Sequence, residues 1–173
     1  MRRGLSRIRL RRDRPGAAAV EFALWSVLVF GVLMVSIDFG FFLSHHNRLA
    51  SASAQAAIVA YNRREAGPVD AATLASFLNA SAELPGAPVQ TSVTCNGSSS
   101  ACLVEPADRR CVCVSGLRPT YSASSACGAP CPSGATSGYY VTVRSDYAFN
   151  PIVSPHAFLE KKVIRHSVTV RLQ

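Results

Sequence analysis

Glu21 and Asp38 are the residues hardest to reconcile with their surroundings. They bracket the run from Phe22 to Ile37, which carries no charge at all. A carboxylate at the mouth of such a run is costly unless a cation or several donors meet it. Glu21 therefore points either to a buried charge partner or to a position at headgroup depth, facing water. Asp38 stands near the far end of the run. It is expected to reach along the chain toward the water interface, the alternative being an arginine of another subunit.

The second set with chemical potential is Cys95, Cys102, Cys111, Cys113, Cys127 and Cys131. Their number allows many pairings, and spacing does not choose among them. Cys111 and Cys113 would share one face of a strand, a geometry that disfavours a bond between them. Cys127 and Cys131 frame a short turn and could pair locally. A zinc site of the form Cys-x-Cys with Cys-x-x-x-Cys is the competing reading. Its spacing is irregular for a zinc ribbon, so all six are taken as disulfide candidates and no metal is expected. His45 and His46 adjoin and do not share a helical face, while His156 and His166 stand alone. No Gly-x-Ser-x-Gly, phosphate loop or His-Glu-x-x-His occurs. No catalytic constellation and no cofactor follow, and the chain is not expected to be an enzyme.

The element that carries Glu21 and Asp38 must be a long apolar helix. Past Asp38, Phe39-Gly40-Phe41-Phe42-Leu43 continue the apolar character. From Ala17 to Leu43 the segment is long enough to cross roughly 30 Å of hydrocarbon with some tilt. Before it stand Arg2, Arg3, Arg7, Arg9, Arg11, Arg12 and Arg14 against the single Asp13. This leader holds +6 of the chain's formal +8, leaving +2 for everything after it. Local basic character beside a span is topological: it keeps the N-terminus in the cytoplasm and sends the rest outside. It does not suit a nucleic-acid surface, which needs charge spread over the folded part. Cysteine usage agrees with export to an oxidising compartment, and Trp25 falls where an interfacial aromatic belt would sit.

The stretch Gly16-Ala17-Ala18-Ala19-Val20-Glu21-Phe22-Ala23-Leu24, behind its basic leader, resembles the start of TadE-type proteins. These are minor pilins, or pseudopilins, of the tight-adherence branch of type IV pili. The resemblance covers about residues 14 to 66, with a weaker likeness at Tyr139 to Pro151 and Val163 to Leu172. It implies that a prepilin peptidase cuts between Gly16 and Ala17, which leaves Glu21 as the fifth residue of the mature chain. Glu21 would then meet the new α-amino group of Ala17 in a neighbouring subunit and set the register of assembly. A buried amine and carboxylate lower each other's cost in lipid. The implied partners are other pilin subunits, the pilus assembly machinery, the prepilin peptidase and membrane lipid, with no nucleic acid.

Four segments follow: a leader over 1–16, a transmembrane helix over 17–43, a helical stalk over 44–67 and an exported domain over 68–173. The stalk lacks Pro and Gly up to Gly67-Pro68 and is rich in alanine, which favours helix. Leu49, Ala52, Ala56 and Ala60, with Ser53 and Ala57, trace a small-residue stripe suited to close helix approach. Asp70 is placed to cap a second helix reaching Ala82, with Leu74, Phe77 and Leu78 inward. Strands are expected over Val89 to Thr94, Cys111 to Ser115, Tyr139 to Phe149 and Val163 to Leu172, the last two paired antiparallel. Pro119 to Gly138 reads as loop. The fold class is α+β: a long N-terminal transmembrane helix continuing as a stalk, then one short helix on a three- or four-stranded antiparallel sheet with a cysteine-rich loop.

The expected function is thus a processed minor pilin in the bacterial inner membrane. It spans once, with its C-terminal domain periplasmic, and takes part in assembly of a pilus used for adhesion and biofilm formation. One rival is a single-pass anchored protein whose periplasmic domain binds or senses something, unprocessed as a pilin. Another is a secreted cysteine-rich domain freed by signal peptidase near Ala54. Neither rival gives Gly16 with Glu21 a purpose.

Overall fold

The computed structural model describes residues 14–116, 119–124, 126–153 and 162–173. Most of the leader, His156 and the middle of the connection before the last strand lie outside these. The first element, α1, is a single helix over Arg14–Asn62, 49 residues, or about 73 Å at 1.5 Å per residue. Gly31 and Gly40 do not break it. It gives way to tight turns at Arg63 to Ala66, before the Gly67-Pro68 stop read from the sequence.

The outer part of α1 is not a free stalk. Leu49, Ala52, Ser53, Ala56, Ala57 and Ala60 are all buried. The small-residue stripe lies against the chain's own sheet and second helix. Small side chains let the helix axis approach the sheet closely, and the alanines there become core rather than an intersubunit seam.

Helix α2 spans Ala71–Ala82. As the sequence suggests, Asp70 caps it, its side chain accepting from the Ala72 amide at 2.9 Å. Its inward Leu74, Leu78 and Ala82 are buried, with Phe77 packed at the edge. The helix ends at Glu83 in a left-handed conformation. Asn79 then fixes the approach to the sheet, its Oδ1 accepting from the Val89 amide at 2.8 Å.

Among the described residues five strands follow: β1 Gln90–Cys95, β2 Val112–Ser115, β3 Thr120–Ala123, β4 Tyr140–Ala148 and β5 Val163–Arg171. They form two antiparallel sheets, one ordered β1-β4-β5 and a ribbon of β2 with β3. The expected pairing of the last two long strands is present, Tyr140 opposite Arg171 through Ala148 opposite Val163. The loop expected over Pro119 to Gly138 instead contains β3. Its four residues are too few, and too exposed, for alternation to register as a strand signal. In β4, Val141, Val143, Ser145 and Tyr147 face inward in strict alternation, as a half-buried strand requires.

Strand β4 descends along α1. Ser145 Oγ meets Ser53 Oγ at 2.7 Å. The Tyr147 ring meets His45 at 5.7 Å between centroids, and Phe149 meets Phe42 edge-on at 5.4 Å. Below them, Ile152 and Val153 reach Asp38. The domain is therefore fastened along one side of the helix from residue 60 down to residue 38.

Candidate functional site

Two regions carry the residues singled out above: the inner half of α1 and the cysteine-rich outer end of the domain. Gly16, Ala17 and Glu21 lie within the first turns of α1 and are exposed. A proline so near a helix start costs no hydrogen bond, and terminal turns open readily. The Gly16–Ala17 bond thus lies within the first turn of the described helix. From Gly16 to Ile37 every residue is exposed except the half-buried Ser26. Phe22 (75%) and Trp25 (64%) are among the apolar residues left uncovered. The helix from Gly16 to Asn62 contains a window of mean hydropathy 2.2. Ser26 and Ser36 donate back to the carbonyls of Ala23 and Val32, so neither hydroxyl needs water. An uncovered apolar surface of this extent requires lipid or other helices.

Within that surface no hydrogen bond or ion pair from the described residues reaches Glu21. Asp38 is the opposite case, fully buried. Its Oδ1 accepts from the amides of Ile152 at 2.9 Å and Val153 at 3.1 Å. The reach toward the water interface expected for Asp38 is replaced by a cover supplied by the chain's own β4–β5 connection. Nothing local in the sequence names that partner, which lies 114 residues away.

The cysteines form three disulfides: Cys95–Cys102, Cys111–Cys127 and Cys113–Cys131. Cys127 and Cys131 do not pair with each other, as their short turn had suggested. Cys111, just before β2, and Cys113 within it are both buried and take one partner each, which anchors both ends of that turn. Cα separations of 5.0, 5.1 and 5.7 Å fit ordinary disulfide geometry.

Arg109 was not signalled by the sequence. It is buried, donates to the carbonyls of Arg64 at 2.5 Å and Gly67 at 2.8 Å, and lies 5.1 Å from the Tyr139 ring centroid. It joins the disulfide-bearing segment to the outer end of α1. Only its place before the Cys-x-Cys pair hinted at a structural duty. His45 packs against Tyr147 and Phe149, and the His46 ring lies 6.3 Å from that of His166. Among the described residues no group of three or more His, Cys, Asp or Glu could hold a metal ion.

Residues 16–57 match the family model described as TadE-like protein. No curated protein and no solved structure matches the chain. The matched stretch begins at Gly16, contains Ala17, Glu21 and Asp38, and ends within the part of α1 packed on the domain. The cysteine-rich domain lies beyond it. The segment that forms the apolar half of α1 and the start of its packed part is therefore similar to TadE-like proteins.

Proposed function

We propose that the chain is a minor pilin or pseudopilin that serves assembly of a tight-adherence pilus, a structural role rather than a catalytic one. It is made with its basic leader in the cytoplasm and held by α1 as a single span of the inner membrane, with the disulfide-bonded domain in the periplasm. A prepilin peptidase cuts between Gly16 and Ala17. Glu21 then pairs with the freed α-amino group of Ala17 in a neighbouring pilin subunit, and the resulting filament supports adhesion.

The observation that carries this reading is the state of Glu21. It stands on an exposed apolar helix, five residues after Gly16, and no group of the described chain satisfies it. A carboxylate so placed is costly until another subunit supplies a cation. The TadE-like match over the same residues supports the pilus assignment. A Glu21→Gln chain made at normal levels in the native host is expected to insert in the membrane but to lose pilus assembly and adhesion. Unchanged assembly would remove Glu21 from the mechanism.

A further inference from the structure

The lower end of the domain exposes apolar side chains beside a lysine. Ile152 is 67% exposed, and Val163 opens β5 with 45% of its surface exposed. Exposed Lys162 precedes it, its carbonyl accepting from the Phe149 amide at 2.9 Å. These residues come together because β4 ends and β5 begins there. Their level along the helix is fixed by two contacts, Phe149 on Phe42 and Ile152 on Asp38.

With α1 taken as a single span, its exposed apolar band sets the height of the bilayer. From Ala17 to Ile37 the exposed band is about 31 Å long, the thickness of a hydrocarbon core. Past Asp38, however, Phe39, Phe41 and Leu43 remain exposed around α1. The apolar surface therefore continues about 8 Å beyond Asp38. That increment matches the roughly 5–10 Å by which interfacial apolar faces enter the headgroup and acyl boundary. Ile152 and Val153 lie at the height of Asp38, so they cannot stand clear of a membrane that accommodates Leu43. The cover over Asp38 fits this position, because a carboxylate at that depth needs donors that water does not supply.

We propose that this end of the domain, led by Ile152 and Val163, is a second membrane contact that rests in the outer interface of the bilayer. Lys162 meets anionic headgroups there, as basic residues at a membrane surface do. The contact continues the lipid-facing surface of α1 and holds the sheet at one height and one rotation relative to the bilayer. It rests on α1 spanning the membrane and is independent of cleavage at Gly16.

The test uses the full chain in phosphatidylcholine–phosphatidylglycerol vesicles whose acyl chains are brominated either near the carbonyl end or near the terminal methyl. Trp25, the single tryptophan, reports the span in the unaltered chain. Ile152→Trp, made together with Trp25→Phe, reports the contact, and Val163→Trp in the same background is an independent reporter. Leu103→Trp is the control. Leu103 is highly exposed and follows Cys102, whose carbonyl accepts from the Val69 amide near the end of α1 opposite to Asp38. The Ile152 and Val163 reporters are expected to show blue-shifted emission, quenched most by bromine near the carbonyl end, with the Leu103 reporter unquenched. If Trp25 is quenched and both lower reporters are not, the domain stands off the membrane and the contact is refuted while the anchor stands. If Trp25 also escapes quenching, the anchor reading fails and the contact with it. Equal quenching of the Leu103 reporter would refute a contact confined to this end.

Discussion

Asp38 and Ile152 lie 114 residues apart and are joined by a hydrogen bond of 2.9 Å from the Ile152 amide to the Asp38 carboxylate, which the Val153 amide also reaches at 3.1 Å. The bond unites the anchor helix with the end of the longest β hairpin. Removing the carboxylate leaves two backbone donors without their acceptor, and each such loss costs about 1–3 kcal/mol. Asp38→Leu is expected to speed hydrogen exchange at the Ile152 and Val153 amides and to lower the domain's unfolding temperature in detergent. Asp38→Asn, which keeps an acceptor oxygen, should do so less. Unaltered exchange at both amides in the leucine variant would show that the bond is not formed.

The disulfide ladder makes a mapping prediction. Proteolysis without reduction should yield peptides joined as Cys95–Cys102, Cys111–Cys127 and Cys113–Cys131, with none joining Cys127 to Cys131. The joint change Cys113→Ser with Cys131→Ser opens a loop of 18-residue separation. In the chain-entropy picture this costs about 3 kcal/mol, readable as a lower denaturant midpoint of the disulfide-bonded domain.

A two-residue turn closes β1. Cys95 and Ser98 exchange backbone hydrogen bonds of 2.8 and 2.9 Å across Asn96 and Gly97, both at positive φ, the backbone that Asn-Gly favours in hairpins. A Cβ on Gly97 would lie 2.7 Å from the Tyr121 ring, whereas one on Gly86, also at positive φ, meets nothing within 4 Å. Both alanine substitutions carry a left-handed backbone cost of roughly 1–2 kcal/mol. Gly97→Ala should cost more in chemical denaturation, because Tyr121 must also move. Equal losses would show that the ring does not rest on the turn.

How much of this was legible depended on whether the signal was local. The anchor, α2 with its Asp70 cap, and the β4–β5 pair announce themselves through unbroken hydropathy, a capping residue and alternation over nine residues. Gly16 and Glu21 were legible as a motif because their spacing along one helix is local too. The rest depends on distant partners. The stripe from Leu49 to Ala60 reads equally well as a seam between helices or as a seat for a sheet, and only the folded chain supplies the sheet. Asp38 gave the same ambiguity, since its donors are main-chain amides that carry no side-chain signature. Cys127 and Cys131 misled because proximity in sequence favoured a local bond, whereas Cys111 and Cys113, before and within β2, each take one of them. Strand β3 was hidden by its length.

Two buried phenols set the alkaline limit. Burial raises the Tyr139 pKa above the ordinary tyrosine value, against a smaller lowering by the Arg109 charge, and burial also raises that of Tyr147. Their hydroxyls donate to the carbonyls of Ala101 at 2.5 Å and Pro85 at 2.6 Å. The folded state thus holds these protons more tightly than the unfolded chain. The resulting stability is complete below the unfolded tyrosine pKa of about 10 and is lost as pH rises toward the folded values. Phenolate absorbance should therefore rise in two phases, the later one accompanying unfolding and shrinking in Tyr139→Phe and Tyr147→Phe. A single phase well before unfolding would contradict the burial of both rings.

Pilin processing is read most directly from the first residue of the mature protein. Intact mass and terminal peptide sequencing would be applied to the chain purified from native-host membranes, with and without the host's prepilin peptidase. The expected result is a start at Ala17 that disappears when the peptidase is removed. A start at Met1 in both strains would leave an unprocessed anchor, and a start near Gln55 would make the domain a secreted product; either would contradict the pilin function proposed for this chain.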